Sequence, residues 1–436
     1  MNIVVLAAGQ GKRMKSKMAK VLMPILGKPM LEYVLDSVNT TFPKSNVTVV
    51  IGDKKEQLEE YLADKKVNIA IQKKQNGTAD AVKSALKFLT DDDTLVISGD
   101  TPLILPETLI NTYENFQEQN ADLCVIFSVL KNPFGYGRIV REDKIIVEIV
   151  EEKDAVERVK LIPEVNSGIY FFKTDLLKGA LDNIKNNNSQ NEFYLTDAVA
   201  YAKQNDKKVI AHEAEARETF GCNDREQIHK ASRVLQKRII KKHFDNGVSF
   251  LKPMSCIIEP SVEIEQDVVV GPNCYLQGKT KIAEGTYITN STIVDTVIGK
   301  NCNIGPFTYL RPGTVLADNV KVGSYAETKK ANIGKGTKIP HLSYVGDIDV
   351  GENCNFGCGS IVANYDGRKK YHSKVGNNVF IGCNANLVSP VVIEDDSFIA
   401  AGTTVTQKVP SYALAINRMP QENIKDWVKN RKPPKE

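Results

Sequence analysis

At 436 residues, with 25% charged and 42% hydrophobic residues and a formal net charge of +4, the chain has an ordinary globular composition and room for two or three domains. That charge is too weak to argue for nucleic acid or a membrane surface, no basic stripe is interleaved with aromatics, and no apolar run reaches the length of a membrane span. The eight cysteines form no C-x-x-C, and Cys354-x3-Cys358 has no His or Cys pair nearby, which argues against a structural zinc and for reduced thiols in a cytoplasmic protein.

The first apolar stretch, Ile3 to Ala8, is too short for a signal-peptide core and lacks a basic start, so it reads as a buried strand. Further strands are expected at Val47–Ile51, Asn68–Ile71, Thr94–Ser98, Leu123–Val129 and Gly168–Phe172, with helices at Pro29–Asn39, Lys54–Ala63 and Thr78–Leu89 between them. The alternation predicts a Rossmann-like α/β domain over residues 1–223, with a largely parallel sheet covered by helices on both faces.

The loop after the first strand reads LAAGQGKRM. Small residues let a backbone approach a nucleotide closely, and a following helix N-terminus favours phosphate. The loop is neither the dinucleotide fingerprint, because Met14 stands where a third glycine would, nor a Walker A loop, because Gly-Lys-Ser/Thr is missing. Alone, G-x-G is a weak signal and a tight turn explains it. Yet Lys12, Arg13, Lys15, Lys17 and Lys20 crowd the segment at the C-terminal end of a buried strand, where open α/β sheets bind ligands. Ser98-Gly99-Asp100 ends another apolar strand with a carboxylate suited to Mg²⁺, although an isolated Gly-Asp is more simply a turn. Gln72 and Gly77-Thr78 add donors and a second glycine loop.

Residues 224–245 contain apolar residues near helical spacing (Ile228, Val234, Leu235, Ile239), and Asp224–Phe244 holds no Gly or Pro, which predicts a linker helix. From Ile258 to Val405 a branched apolar residue then returns every sixth position, in phases beginning at Ile258, Ile298, Ile333, Val350 and Val375. Of 25 rungs only Thr328 is polar, where the composition would give about ten apolar ones by chance. Gly directly follows ten rungs, as if supplying turn conformations that a Cβ forbids. Period six is the signature of a parallel β-helix of hexapeptides, so residues 246–436 are expected to form that domain and a tail, with Trp427 in a short helix-like stretch and a solvated Lys/Pro end.

Chemistry in this half must come from polar residues off the ladder. His341 suits removal of a proton from an amine near neutral pH. A lone surface histidine is the blander reading, but Arg311, Lys329, Tyr344 and Asn355 fall off the ladder within a few coils and offer cations for a phosphate and polar groups for a sugar. The 13-residue step from Val362 to Val375 predicts a loop carrying Asn364-Tyr365 over a groove.

Taken in order, LAAGQGKRM…KVL, QNGTADAV, GDTPLI, NPFGYGRIV, IVEEKDA, VNSGIY and EFYLTD resemble the sugar-nucleotide pyrophosphorylases. LRPGT, PHLSYVGD, NFGCGSIVANYDG and IAAGTTVT extend the likeness through the hexapeptides. The chain as a whole resembles the bifunctional N-acetylglucosamine-1-phosphate uridyltransferase/glucosamine-1-phosphate N-acetyltransferase family. The resemblance implies a left-handed β-helix and two reactions. Acetyl-CoA acetylates glucosamine 1-phosphate, and UTP then converts N-acetylglucosamine 1-phosphate to UDP-N-acetylglucosamine, a precursor for peptidoglycan and lipopolysaccharide. Leu6, Ala7, Ala8 and Gly9 would hold uracil and ribose with Gln72, Gly77 and Thr78. Arg13 and Lys20 would neutralise the phosphates, while Ser98, Gly99, Gly137, Glu151 and Asn166 would line sugar and ribose. Asp100 and Asn223 would bind Mg²⁺. His341 would be the base of acetyl transfer, and Arg311, Lys329, Tyr344 and Asn355 would grip the sugar phosphate. Cys358, Asn364, Tyr365, Cys383, Ala401 and Arg418 would contact acetyl-CoA. The family also implies a homotrimer through the β-helix. Three positions depart from its pattern: Ala19 in place of Pro, which would loosen the loop before Lys20, and Cys358 and Cys383 in place of Ala and Ser. The competing reading is a nucleotidyltransferase whose β-helix is only structural or regulatory.

Overall fold

The computed structural model describes residues 1–431, so the Lys/Pro end from Lys432 lies outside the described residues. The chain divides into two compact units, Met1–Gln236 and a second beginning at Lys237.

In the first unit one sheet holds β1 (Asn2–Ala7), β2 (Asn46–Ile51), β3 (Asn68–Ile71), β4 (Asp93–Ser98), β5 (Leu123–Val129), β6 (Arg138–Glu142), β7 (Ile145–Val150), β8 (Glu164–Lys173) and β9 (Val209–Glu213). Its order is β9-β5-β8-β4-β1-β2-β3. β1 runs parallel to both β2 and β4, whereas β8 is antiparallel to β4 and β5. Alternation splits β1 between two cores: Ile3, Val5 and Ala7 face one layer of helices and Val4 the other. The helices are α1 (Met30–Thr41), α2 (Lys55–Leu62), α3 (Thr78–Lys83), α4 (Pro106–Glu118), α5 (Thr174–Asn183) and α6 (Asp197–Gln204), besides short turns. Strand order reverses at β1, and Leu6 lies opposite Ser98 in the register, so the loops after β1 and β4 open at one edge. That is where a doubly wound sheet leaves a crevice.

The six expected strands are present, but β6, β7 and β9 were not expected. β6 (RIVRE) and β7 (IIVEIV) are short apolar stretches broken by charged residues and form a half-exposed hairpin attached to β8 at Arg138–Val165. β9 is a partly buried edge strand. Neither carries the continuous apolar run of a central strand. The stretch expected to be helical is one, α7 (Arg225–Asp245).

In the second unit three short strands make each coil, and the rungs stack in parallel register: Val322 on Ile339, Leu310 on Thr328, Val350 on Val375. The rungs form one continuous core. Thr328 is fully buried among them and shares a hydrogen bond with Thr314 Oγ1 at 3.0 Å, which satisfies its hydroxyl.

Three expectations change. Val294 is not a rung: Leu276 pairs with Ile293, which is fully buried, because this coil is one residue shorter. The glycines after rungs serve close approach more than turn conformation. A Cβ on Gly323 would lie 2.1 Å from Pro340 O, and one on Gly357 2.5 Å from Cys383 N. Left-handed turn positions are held more often by Asn or Asp, such as Asn273, Asn353 and Asn384, than by glycine. Finally, Trp427 stands in a run of turns rather than a helix.

Candidate functional sites

The first unit holds a two-lobed cleft at the C-terminal ends of β1 and β4. Leu6, Thr78, Ser98 and Asp100 line both lobes. One lobe adds Ala7, Ala8, Gly9, Lys20, Gln72 and Gly77. The other adds Arg13, Gly137, Glu151, Asn166 and Asn223. Of the residues expected there, Gly99 is the exception: it is buried, its N–H donates to Leu6 O at 2.9 Å, and it lines neither lobe.

At the junction Lys20 Nζ is hydrogen-bonded and ion-paired to Asp100 Oδ2 and donates to Asn223 Oδ1 at 2.7 Å. Ser98 Oγ donates to Asp100 Oδ1 at 2.6 Å. Burial pushes the Asp100 carboxyl up, but the charge and hydrogen bond of Lys20 more than reverse this and hold it below the usual carboxylate range. Asn223 is fixed by its neighbours: its N–H donates to Gln227 Oε1 at 2.7 Å, and Gln227 N–H donates to Asp224 Oδ1 at 2.8 Å at the start of α7. The Asp-x-x-Gln spacing is a helix-start signal that could have placed Gln227 at the site. Gly11, at φ +59°, leaves room for the stem of Lys20, whose Cβ would lie 2.7 Å from a Cβ added there.

Ala19 does not leave the loop loose. Its N–H, which proline lacks, donates to Gln57 Oε1 at 2.8 Å, and Gln57 Nε2 holds Lys17 O at 3.0 Å. In the far lobe, Glu151 is raised by burial and by the nearby charges of Asp197, Asp154 and Glu192, against a hydrogen bond from Thr196. Asn166 donates its N–H to Gly137 O at 2.9 Å and its side-chain amide to Tyr170 OH at 2.7 Å. Gln72 is buried and donates to Gly77 O and Asp80 Oδ2, so it braces the second glycine loop.

The second unit gathers its polar residues along one corner. Arg311 follows rung Leu310 and Lys329 follows Thr328, which stack in register, so the two cations sit one coil apart. Arg311 is paired with Glu327 at 2.7 Å. The Lys329 ammonium is pushed down first by contact with the Lys370 side chain and then by burial. Lys370 had no sequence signal beyond the phase break, because a loop lysine belongs to no ladder. That loop is pinned by Asn364, whose Nδ2 donates to Asp347 Oδ2 at 2.6 Å and to Tyr344 OH at 3.2 Å. Asn364 is therefore buried and committed to bracing Tyr344, while Tyr365 is exposed.

His341 is exposed, and its imidazole makes no hydrogen bond among the described residues. Register places it in a column: Lys338 opposes Asn355, setting His341 over Cys358, and Phe356 opposes Ile381, setting Cys358 over Cys383. Ile381 opposes Ile399 in turn, which sets Cys383 over Ala401. The imidazole and the two thiols, far apart in sequence, thus occupy consecutive coils. Asn355 points outward between Lys338 and Phe380 on the adjoining strand face. Arg418 is exposed just beyond the end of the column.

Comparison with known proteins matches both halves of the chain. The nucleotidyl transferase family matches residues 2–217, the GMPPB C-terminal domain residues 253–322, and the bacterial transferase hexapeptide (six repeats) residues 372–407. Three relatives each carry the name "Bifunctional protein GlmU". The protein of Listeria monocytogenes serotype 4a is 44% identical over 98% of both chains. That of Caldicellulosiruptor saccharolyticus is 42% identical over 98% of this chain and 97% of its own. That of Acetivibrio thermocellus is 45% identical over 98% of this chain and 96% of its own.

Proposed function

The chain belongs to the family of bifunctional GlmU proteins, and we propose how its two sites divide the labour. It is an enzyme with two activities: acetyl transfer from acetyl-CoA to glucosamine 1-phosphate, and uridylyl transfer from UTP to N-acetylglucosamine 1-phosphate with release of pyrophosphate.

Residues 1–223 carry uridylyl transfer. The sugar phosphate is already an oxyanion and needs no general base, so the demands are charge neutralisation and in-line positioning. Leu6–Gly9, Gln72, Gly77 and Thr78 receive the nucleoside, Arg13 and Lys20 the phosphates, and Gly137, Glu151 and Asn166 the sugar. Asp100 and Asn223 fit a magnesium ion, because two oxygens from separate segments already converge on one cation, the Lys20 ammonium. A carboxylate and an amide leave the rest of a hydrated ion's shell to phosphate oxygens. When bound, Mg²⁺ supplies neutralisation of phosphate charge.

Residues 246–436 carry acetyl transfer, joined to the first domain by the linker 224–245. His341 accepts a proton from the attacking amine. Arg311 and Lys329, with Lys370, hold the sugar phosphate, and Tyr344 and Asn355 the sugar. Acetyl-CoA lies along Cys358, Cys383 and Ala401, with Tyr365 and Arg418 at its ends. The single observation that carries this reading over a purely structural β-helix is the gathering of like charges at Arg311, Lys329 and Lys370 around one coil edge. Such repulsion costs stability unless an anion relieves it.

The second unit assembles as a trimer, which would cover apolar ridges such as the stacked rings of Phe307 and Tyr325, 56% and 61% exposed. Sedimentation with and without residues after 250 tests that assembly. The enzyme works in the cytoplasm, in keeping with eight free thiols. Wild type, His341→Ala and Asp100→Ala, each assayed for both half-reactions, test the division. His341→Ala should lose acetylation and keep uridylylation, and Asp100→Ala the reverse. Normal acetylation by His341→Ala would remove the base assignment.

A further inference from the structure

Lys20 occupies the position that the divalent cation needs. Its ammonium bonds to Asp100 Oδ2 and, at 2.7 Å, to Asn223 Oδ1. The Lys20 and Asp100 side chains are only 13% and 14% exposed, so solvent screens the pair little. Asp100 Oδ1 is engaged by the Ser98 hydroxyl at 2.6 Å. A metal ion cannot take the two remaining oxygens while the ammonium stays, since like charges would sit within contact distance of one another. The ammonium also has somewhere to go. Lys20 lines the same lobe as the Ala8-Gly9 loop and Lys12, and a four-carbon stem can swing into that lobe by rotamer changes alone, where a bound nucleotide's phosphates would meet it.

We propose that Lys20 is an exchangeable occupant of the metal position: in the free enzyme it neutralises Asp100 and donates to Asn223 Oδ1, it leaves when a divalent cation arrives, and it moves to the nucleotide's phosphates. This rests on the reading that Asp100 and Asn223 hold the metal. Its consequence is coupling. Metal alone must expel an ammonium with no new partner and binds weakly. With nucleoside triphosphate present the ammonium gains phosphate oxygens, so metal and nucleotide bind cooperatively.

Mn²⁺ is the probe, and water-proton relaxation reports its protein-bound fraction on the full-length chain. Without nucleotide, Lys20→Met should bind Mn²⁺ at least about tenfold more tightly than wild type, and adding Asp100→Asn should abolish that gain. Thermal unfolding gives a second readout. Lys20→Met strands the Asp100 carboxylate, so it should melt below wild type and be raised by Mn²⁺ more than wild type is. Mn²⁺ binding no tighter in Lys20→Met than in wild type overturns the exchange. The metal reading is judged separately by Asp100→Asn with UTP present: weakened Mn²⁺ binding keeps it, whereas unchanged binding removes it and the exchange with it.

Discussion

Arg138 and Glu152 form an ion pair of 2.6 Å in which the guanidinium is 1% exposed. The same guanidinium donates to Tyr136 O and to Lys160 O, and Glu152 accepts from Gly135 N–H at 3.0 Å. One buried arginine therefore shapes the loop that brings Gly137 to the sugar lobe. Removing one partner of such a pair leaves the other without compensation. Arg138→Met should cost about 2–3 kcal/mol, below the range for fully buried pairs because Glu152 stays partly hydrated. It should also raise KM for N-acetylglucosamine 1-phosphate and leave acetyl transfer unchanged. Thermal unfolding with both half-reaction assays checks this, and equal losses in the two reactions would sink it.

Arg138 also shows where the sequence stops being legible. In NPFGYGRIV it is one charged residue of a half-exposed hairpin, and nothing in its spacing says that it is buried. Central strands were readable because apolar runs and glycine loops are local signals. The six-residue ladder was readable because each coil repeats one steric demand, and it slipped only where a coil lost a residue, at Ile293. The column of His341, Cys358 and Cys383 arises from coil-to-coil register. The Lys329–Lys370 contact arises from a loop folding back. Both are long-range, so the residue types could be picked out but not their meeting.

Lys370 follows from that gap. If it completes an anion seat with Lys329 and Arg311, Lys370→Ala should raise KM for glucosamine 1-phosphate about tenfold, in the range of a charge-assisted hydrogen bond. Uridylyl transfer should not change, and Lys370→Arg should restore part of the loss. Steady-state acetylation against sugar phosphate decides it, and an unchanged KM in Lys370→Ala would exclude the loop lysine from the seat.

Asp197 gives a pH dependence of known sign. Burial, then the charges of Asp154 and Glu148, push its carboxyl up to about 6. Between the ordinary aspartate value and about 6 the folded chain binds more protons than the unfolded one, so this group's contribution falls as pH rises through that window and stays low above it. Asp197→Asn should raise the melting temperature at pH 7.5, leave it nearly unchanged at pH 4, and flatten the slope between. A melting temperature lowered equally at both values would show that the carboxylate stabilises the fold instead.

The ladder's slip can be tested by neighbours one residue apart. Ile293 is fully buried and stacks on Leu276, while Val294 is half-buried beside it. Six-residue counting from Ile288 selects Val294, whereas coil register selects Ile293. Truncating a buried isoleucine removes its transfer free energy and leaves a cavity that stacked coils cannot close, since each rung is held by the coils on both sides. Ile293→Ala should therefore cost about 2–4 kcal/mol, and Val294→Ala less than about 1 kcal/mol. Denaturant unfolding of the full-length chain, followed through hydrogen-exchange protection of the coils at Leu276 and Leu310, separates the two. Comparable losses would mean that both side chains share the interior, and a larger loss for Val294→Ala would restore the six-residue phase.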